Sequence, residues 1–595
     1  MRVASLALEN FRGIKSGFIN FRHHTVLVGA NNTGKSTVIE ALTLLLGRDK
    51  LIRELTEHDF FGSNPQPADR IKLVATISGF EGDAPERHTD WFREGRAIPK
   101  WLDEKTGTVH PARIDGSWRL CCQVAAQAYF DSDSLSVEMV RYFHDHDNPI
   151  DPFTGDSPVP VPGKLIQQFG YFLVRANRSW DKVFSWGSEL FRRTVHVAAA
   201  QPSAAILAER DRLRAPAHPI ENDAQIAPLI ANVNKELARC IANSPELQLR
   251  LTSTDSKSVL EAVAAHFAVP GGYSIPAARQ GSGLISLQGL MLLLELGRVR
   301  AAAGDGFTMA LEEPEIHVSP STQQQLVHRV QGLSTQTFIT THSPSVAALA
   351  DPTSVLLLRN VDGVLVAEPF LPAPLTPAAQ AWERRFFQQM RVEVMSSLMH
   401  PQILVPEGRA DYFLLRTVLR PLVLTGGWDM TMEYSFGLEV GIVPTEDAKV
   451  IQTYQALSRM HGAVGCLVDG DAAGRAYAAE LLALPAPPKS ILRWNDGAMV
   501  EDIIGWVLEA GGANVITALA TLQDPPPQTI AQVVDYLKAK KVDIVAYETV
   551  ADVVANDEGC RSRAASLFSD MAAACKGIAS DHFQRGADSV WVFHR

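Results

Sequence analysis

Apolar and polar positions along the chain fall into short strand-like runs, most of them followed by helix-like stretches. Residues 25–28 (TVLV) are apolar or β-branched throughout, and after the loop GANNTGKST the segment VIEALTLLLG is predicted to be helical. Before them, LALENFRGIKSGFINF alternates in patches and predicts a hairpin. FTMALEE (307–313) and TFITTHSP (337–344) are apolar runs that end in polar groups, as buried parallel strands do. GSGLISLQ (281–288) opens a long apolar helix, and IKLVATISGF and GYFLVRA, within residues 65–190, extend a sheet. Residues 145–163 (DHDNPIDPFTGDSPVPVPG) read as an exposed loop. Residues 203–267 turn helical, through SAAILAERDRL and IAPLIANVNKELARCIA, and residues 371–398 open on LPAPLTPAAQ and continue as a helical linker. Beyond them, QILVPEGRADYF (402–413) and AVGCLVDGDAAGR (463–475) are strands that end in acids, and AMVEDIIGWVL (498–508) starts a helix. This alternation predicts an α/β fold.

At 595 residues the chain exceeds one hydrophobic core, and about 150 residues per domain predicts several units. A net charge of −11 lacks the basic signature of a general nucleic-acid binder, yet it leaves room for local basic clefts and suits clustered carboxylates. The cysteines (Cys121, Cys122, Cys240, Cys466, Cys560 and Cys575) include no C-x-x-C pair, which argues against structural zinc and for a reducing compartment. The opening MRVASLALENFRG lacks the apolar core of a signal peptide, and no uncharged apolar run reaches about 18 residues. The expectation is a soluble, cytoplasmic protein without a membrane span.

The pattern G-x-x-x-x-G-K-S at 29–36, between strand and helix, is a P-loop. Gly29 and Gly34 let the backbone turn its N–H groups toward phosphates, Lys35 reaches the β- and γ-phosphates, and the Ser36 hydroxyl binds Mg²⁺. Asn31, Asn32 and Thr37 complete the nucleotide-binding segment. Hydrolysis also needs a carboxylate near the metal and a way to orient water. Glu312 fits the first role and Glu313 the second. Ser282 and Gly283 offer donors to a phosphate at a helix start, although a plain helix cap accounts for the same residues.

The acidic strand ends are Glu407 with Asp411 in EG-x-x-D, and Asp469 with Asp471 in D-G-D. Two divalent ions about 3.5–4 Å apart assist in-line attack on a phosphodiester. Mg²⁺ or Mn²⁺ takes oxygen ligands in preference to Cys or His. Spacing of two on an extended end puts both aspartates on one face. A D-G turn alone is a common surface feature. The companion strand end earlier in the chain favours a metal centre.

An opening ENFRGI…F followed by a P-loop with an Asn pair resembles the ATPase heads of the SMC, Rad50 and OLD (overcoming lysogenization defect) group. The acidic strand ends resemble the TOPRIM fold of topoisomerases, primases and OLD nucleases. The order of these elements is similar to that of class 2-like OLD proteins, among them the nuclease subunit of the Gabija anti-phage system. The resemblance implies an ABC/SMC-like P-loop head at 1–200 and 271–370, a helical insert at 201–270, a linker at 371–399 and a TOPRIM domain at 400–595. The insert is a dimerisation region by analogy; a helical lobe packed on its own head fits the residues equally well. His342 is implied as a γ-phosphate contact, PEIHVSP as the D-loop, and GSGLISLQ as a signature that departs from LSGGQ and completes the ATP site of a second subunit. Gln167, Gln168 and Gln201 all remain candidates for the Q-loop. Glu501 is implied as a further metal ligand, although a helix-start acid placed by the macrodipole is an equal account. Among Lys538, Lys540 and Lys541, Lys541 is implied as the lysine that stabilises charge on the cleaved phosphate; a solvated basic helix face is the competing account.

The activity implied is an ATP-regulated DNA endonuclease in defence against phage or foreign DNA. Its cofactors would be ATP and Mg²⁺, with Mn²⁺ or Ca²⁺ possible at the TOPRIM site. Its partners would be DNA, a second copy or a higher homo-oligomer, and a helicase-like protein. An ATP-switched DNA-binding scaffold is one alternative. A topoisomerase- or primase-type enzyme is the other, though the chain shows neither a recognisable DNA-gate tyrosine module nor a zinc module.

Overall fold

In a computed structural model, the N-terminal hairpin forms as its alternation predicts. Strands β1 (Arg2–Phe11) and β2 (Ile14–Asn20) pair antiparallel, and Asn10 and Arg12 at the turn take left-handed φ values of 56° and 53°. The structure describes residues 1–595 except 48–53, 94–95, 156, 177–203, 242, 252, 256–257, 260–261, 269–270, 317, 425–434, 513 and 587. The chain divides into a unit of Met1–Pro162 with Phe338–Arg595 and a unit of Gly163–Thr337.

In the first unit, β3 (His24–Val28) is buried from Thr25 to Val28, as a central strand covered on both faces must be. β4 (Ile71–Ser78), β5 (Lys100–Leu102), β6 (Val109–His110), β7 (Arg119–Asp131) and β8 (Ser136–His144) extend the hairpin as an antiparallel wing. The 145–163 segment that follows is turn-rich, with one bridge between Tyr142 and Pro160.

In the second unit, β9 (Tyr171–Val174) runs parallel to β12 (Thr308–Glu312). The helix Ser282–Ala302 is long and apolar enough to cross a membrane by composition, but half of its most apolar window is buried inside the protein. A Cβ on its Gly297 would sit 2.5 Å from the Phe307 ring, and Arg300 donates to the carbonyls of Gly306 (2.8 Å) and Gln167 (3.0 Å). Those contacts are those of a core helix. Among the described residues of 203–267, Ala204–Arg214 and Ala227–Cys240 are helices and 258–259 are helical, and the short hairpin β10 (His266–Phe267) and β11 (Ile275–Pro276) follows. The second helix stops where Asn243 turns left-handed (φ 59°) ahead of Pro245, two helix-ending signals in succession.

The chain re-enters the first unit at Phe338, within β13 (Gln336–Thr340), which lies beside β3 and is followed in sequence by β14 (Val355–Val361) and β15 (Val364–Pro369). β14 is parallel to β3, and β15 is antiparallel to β14 and parallel to β2, which closes the sheet around the P-loop strand. Residues 371–399 are a packed brace. Phe386, Phe387, Val394, Met395 and Leu398 are buried there, and Arg391 donates to Ala348 O at 2.8 Å.

A second sheet follows in the same unit. β16 (Gln402–Pro406), β17 (Val440–Ile442), β18 (Val464–Val468), β19 (Ser490–Arg493), β20 (Phe583–Arg585) and β21 (Trp591–Phe593) take the order β17-β16-β18-β19-β21-β20, all parallel except β20. Helices Val500–Leu508, Ile544–Asn556 and Glu558–Cys575 share its core with Trp494, Phe436, Phe568 and Phe583.

Candidate functional site

Two chemistries sit at the carboxyl ends of parallel strands in the first unit, where open α/β sheets present ligand sites. The first is the loop after β3. Its Gly34 is left-handed (φ 99°), as is Asn32 (φ 63°), and the helix Lys35–Leu46 begins at once. A Cβ on Gly29 would lie 2.6 Å from the Leu358 carbonyl of β14, so only glycine fits. Lys35 is buried and its Nζ donates to the carbonyls of Gly29 (2.8 Å) and Ala30 (2.9 Å). Ser36, Asn31 and Asn32 are exposed and Thr37 is partly so, which leaves the helix N-terminus open to an anion. The Thr341 N–H donates to Leu27 O (3.4 Å), and this sets the exposed His342 at the same sheet edge as the loop.

The second unit carries the remaining residues of the nucleotide reading. Glu312 ends β12 and is buried; Glu313 follows it with a left-handed φ of 46°. Ser282 and Gly283 open the helix Ser282–Ala302, with Ser282 exposed. Gln167 and Gln168 lie at the end of the helix Gly163–Phe169, where their carbonyls take the Arg300 guanidinium; Gln201 lies outside the described residues.

The second chemistry of the first unit is a carboxylate cluster at the ends of β16 and β18. Glu407 follows β16 and its Oε2 accepts the Asp469 N–H at 2.9 Å, which ties the two strand ends together. Asp411 is buried in the first turn of the helix Arg409–Leu424 and accepts the Gly408 N–H at 3.1 Å. Asp471 caps the helix Ala472–Leu482 by accepting the Gly474 N–H at 2.8 Å. Gly470, between the aspartates, has no room for a Cβ against the Asn495 carbonyl. Its N–H donates to Ala498 O (2.8 Å) and its carbonyl accepts from Gly497 (2.9 Å), which fastens the D-x-D loop to the turn before the helix Val500–Leu508.

That helix brings in Glu501, 1% exposed, with neither carboxylate oxygen hydrogen-bonded. Its neighbour Asp502 takes the structural work: it accepts the Met499 N–H (2.9 Å) and the Lys538 ammonium (2.7 Å). Asp469 also has a buried oxygen, Oδ1, with no partner.

The charges of these groups act on one another. Burial raises the Asp469 pKa above the ordinary carboxylate range, and the charges of Asp411, Glu407, Glu501 and Asp471 raise it further. Asp411 is raised by burial and then by Glu501 and Glu407. Glu407 is raised chiefly by burial, with the Lys541 charge acting the other way. Lys541 is exposed and acts on Glu407 from the solvent side. Asp447, which the sequence reading did not single out, joins it there: its Oδ1 takes the Arg409 N–H (2.9 Å), and Lys541 helps to lower its pKa. Its only sequence signal was an acidic loop after a short strand.

Buried like charges with unpartnered oxygens either take up protons or hold cations. An all-oxygen donor set suits Mg²⁺, Mn²⁺ or Ca²⁺. These oxygens are not gathered as tightly as one ion demands. The trio with ligand atoms all within 4.8 Å among the described residues is Asp145, His146 and Asp147. There Lys100 already neutralises the acids, with Asp145 at 2.6 Å and Asp147 in contact. A two-ion site about 3.5–4 Å across spreads its ligands over a wider volume, and the unpartnered oxygens of Glu501 and Asp469 favour the C-terminal cluster.

Comparison with known proteins bears on the nucleotide half. Residues 1–78 match the family described as AAA ATPase domain, and residues 190–348 match the AAA domain, putative AbiEii toxin, Type IV TA system family. The curated protein Retron Ec83 probable ATPase of Escherichia coli is 22% identical over 412 residues, which cover 60% of this chain and 72% of that protein. Among solved structures, an SMC head bound to the C-terminal winged-helix domain of ScpA covers 62% of this chain and 98% of its own at 14% identity and a TM-score of 0.34. The SMC head domain from Thermotoga maritima matches 62% of this chain and 99% of its own at 15% identity and a TM-score of 0.27. The chain therefore carries AAA-type ATPase domains and is homologous to a retron ATPase.

Proposed function

We propose that the chain is an ATP-regulated, divalent-metal-dependent DNA endonuclease of the OLD type, with a TOPRIM-like domain at its C-terminal end. The observation that carries this reading is the buried Glu501, its two oxygens unpartnered, beside Asp469, Asp411 and Glu407. Glu407, Asp469, Asp471, Asp411 and Glu501 would hold the ions. Bound divalent ions supply a nucleophile at neutral pH and neutralise charge on the phosphate. The chain's own groups do the rest: the Asp469 N–H orients Glu407, the cap made by Asp471 fixes the D-x-D turn, and Lys541 at the rim offers a positive charge to the phosphate being cut.

In the first unit, Lys35 would exchange its loop carbonyls for phosphate oxygens, Ser36 would bind Mg²⁺ and His342 would contact the γ-phosphate. In the second unit, Glu312 and Glu313 would keep the metal and water roles that the sequence gives them. Ser282 and Gly283 of a second copy would complete that site in a homodimer. The relationship to a retron ATPase supports a role in defence against phage or foreign DNA.

The test is supercoiled plasmid incubated with Mg²⁺ or Mn²⁺, beside the Asp469→Ala/Asp471→Ala protein. Metal-dependent nicking or linearisation that falls at least about 10³-fold in the variant is expected. Plasmid that stays intact with every metal, or relaxation without strand breaks, overturns the nuclease reading.

A further inference from the structure

Lys541 sits in a turn that the backbone does not adopt willingly. The helix Ile530–Ala539 ends, and the helix Ile544–Asn556 starts, within the four residues Lys540–Asp543. Val542 in that turn has φ 63°. A β-branched side chain rarely takes the left-handed region, so something must hold it there. Two contacts are local: the Asp543 N–H closes on Lys540 O (3.1 Å), and Asp543 caps the next helix by accepting the Ala546 N–H (3.1 Å). The third comes from the core. The Val542 N–H donates to the hydroxyl of Tyr547 at 2.9 Å.

Tyr547 is wholly buried, 0% exposed, where phenylalanine would pack as well if packing were all that mattered. Burial and then the charges of Glu501 and Asp411 push its phenol up to about 12, against the lowering effect of the Val542 hydrogen bond, so it stays protonated. Tyr547 shares one buried core with Tyr412 and Val500, the chain neighbours of Asp411 and Glu501, while Lys541, exposed, acts on Glu407 and Asp447 from the solvent side.

We propose that Tyr547 is a positioning residue: its buried hydroxyl holds the left-handed Val542 turn and thereby fixes Lys541 at the mouth of the carboxylate cluster. What Lys541 does there rests on the nuclease reading; how it is held rests on the turn alone.

Four full-length proteins test this: wild type, Tyr547→Phe, Val542→Gly and the double variant. Two readouts are taken, the rate at which Lys541 is acylated by an amine-reactive reagent, scored by peptide mass spectrometry, and single-turnover plasmid cleavage with Mn²⁺. Tyr547→Phe is expected to speed acylation of Lys541 severalfold and to slow cleavage by about 10- to 100-fold, with little change in apparent DNA affinity. Val542→Gly alone stays near wild type, because glycine enters the left-handed region without strain. In the double variant the strain is gone, so both readouts return toward wild type. A merely structural tyrosine gives no such rescue. Unchanged Lys541 reactivity in Tyr547→Phe, or a double variant as impaired as Tyr547→Phe, overturns the proposal. If wild type cuts nothing, the nuclease reading falls and the acylation pattern alone decides how Lys541 is held.

Discussion

The P-loop and the carboxylate cluster occupy equivalent places, each at the carboxyl end of parallel strands, yet they are built on opposite principles. The loop is satisfied from within. Its one buried cation, Lys35, donates to two loop carbonyls, and its glycines remove the steric conflict that the turn would otherwise create. The cluster is dissatisfied from within. Glu407, Asp411, Asp469 and Glu501 push on one another, and oxygens of Asp469 and Glu501 are buried without a partner. A self-satisfied site tolerates the absence of its ligand, whereas a repulsive one stores free energy that only protons or cations release. The fold's own stability should therefore respond with opposite signs when charge is removed from the two sites.

The largest effect expected is on ATP turnover. Lys35→Ala removes the only ammonium in the loop and should lower ATP hydrolysis by about 10³-fold or more, measured as phosphate release at saturating nucleotide. It also strands the Gly29 and Ala30 carbonyls, so the unfolding free energy should fall by about 1–2 kcal/mol in urea titration. If Lys35→Ala instead stabilises the chain, the loop is not self-satisfied and the contrast fails.

Next in size is the opposite sign at the cluster. Once pH exceeds the raised Asp469 value of about 9, Asp469→Asn takes one charge out of the repulsion and keeps the shape. Above that pH the metal-free protein should gain about 1–3 kcal/mol, whereas near neutral pH, where Asp469 already carries its proton, stability should change little; metal-dependent cleavage is lost. A less stable metal-free variant would mean that the carboxylates are held apart by contacts stronger than their repulsion.

This contrast also explains what could be read from the chain alone. The P-loop is a contiguous string between strand and helix, so the position and conformation of Gly34 and Lys35 follow from local geometry. The strand ends carrying Glu407 and Asp469 were legible for the same reason: apolar runs that stop in acid. Glu501 was ambiguous because an acid at a helix start serves the macrodipole equally well; its burial with both oxygens unpartnered, while Asp502 takes the local cap, is what the macrodipole account leaves unexplained. Asp447 and Tyr547 were missed because they reach the site by tertiary packing, from a loop and from a helix face whose sequence looks like ordinary surface and core. The helical pattern over 203–267 breaks after Cys240, where Asn243 and Pro245 outweigh the apolar spacing.

The smallest effect expected sharpens the comparison without any mutation. Asp469, Asp411 and Glu407 all have folded-state pKa values raised above their ordinary values of 3.8 for aspartate and 4.5 for glutamate, burial being the first cause in each. Between those ordinary values and the raised ones the folded chain binds more protons than the unfolded chain. Their contribution to stability is therefore fully present below about pH 4 and is lost as pH rises through the raised values. A divalent cation competes with those protons, so its affinity rises over the same window. The stabilisation that saturating Mg²⁺ gives to the C-terminal domain should accordingly grow between about pH 6 and about pH 8, by roughly 2–4 °C in its melting transition. ATP bound at the P-loop should show no such growth, because no raised carboxylate in that loop has to be emptied first. Scanning calorimetry with each ligand across that range reads both slopes. Equal slopes for Mg²⁺ and ATP, or an Mg²⁺ effect that shrinks as pH rises, would mean that the cluster is not the place where the cation acts.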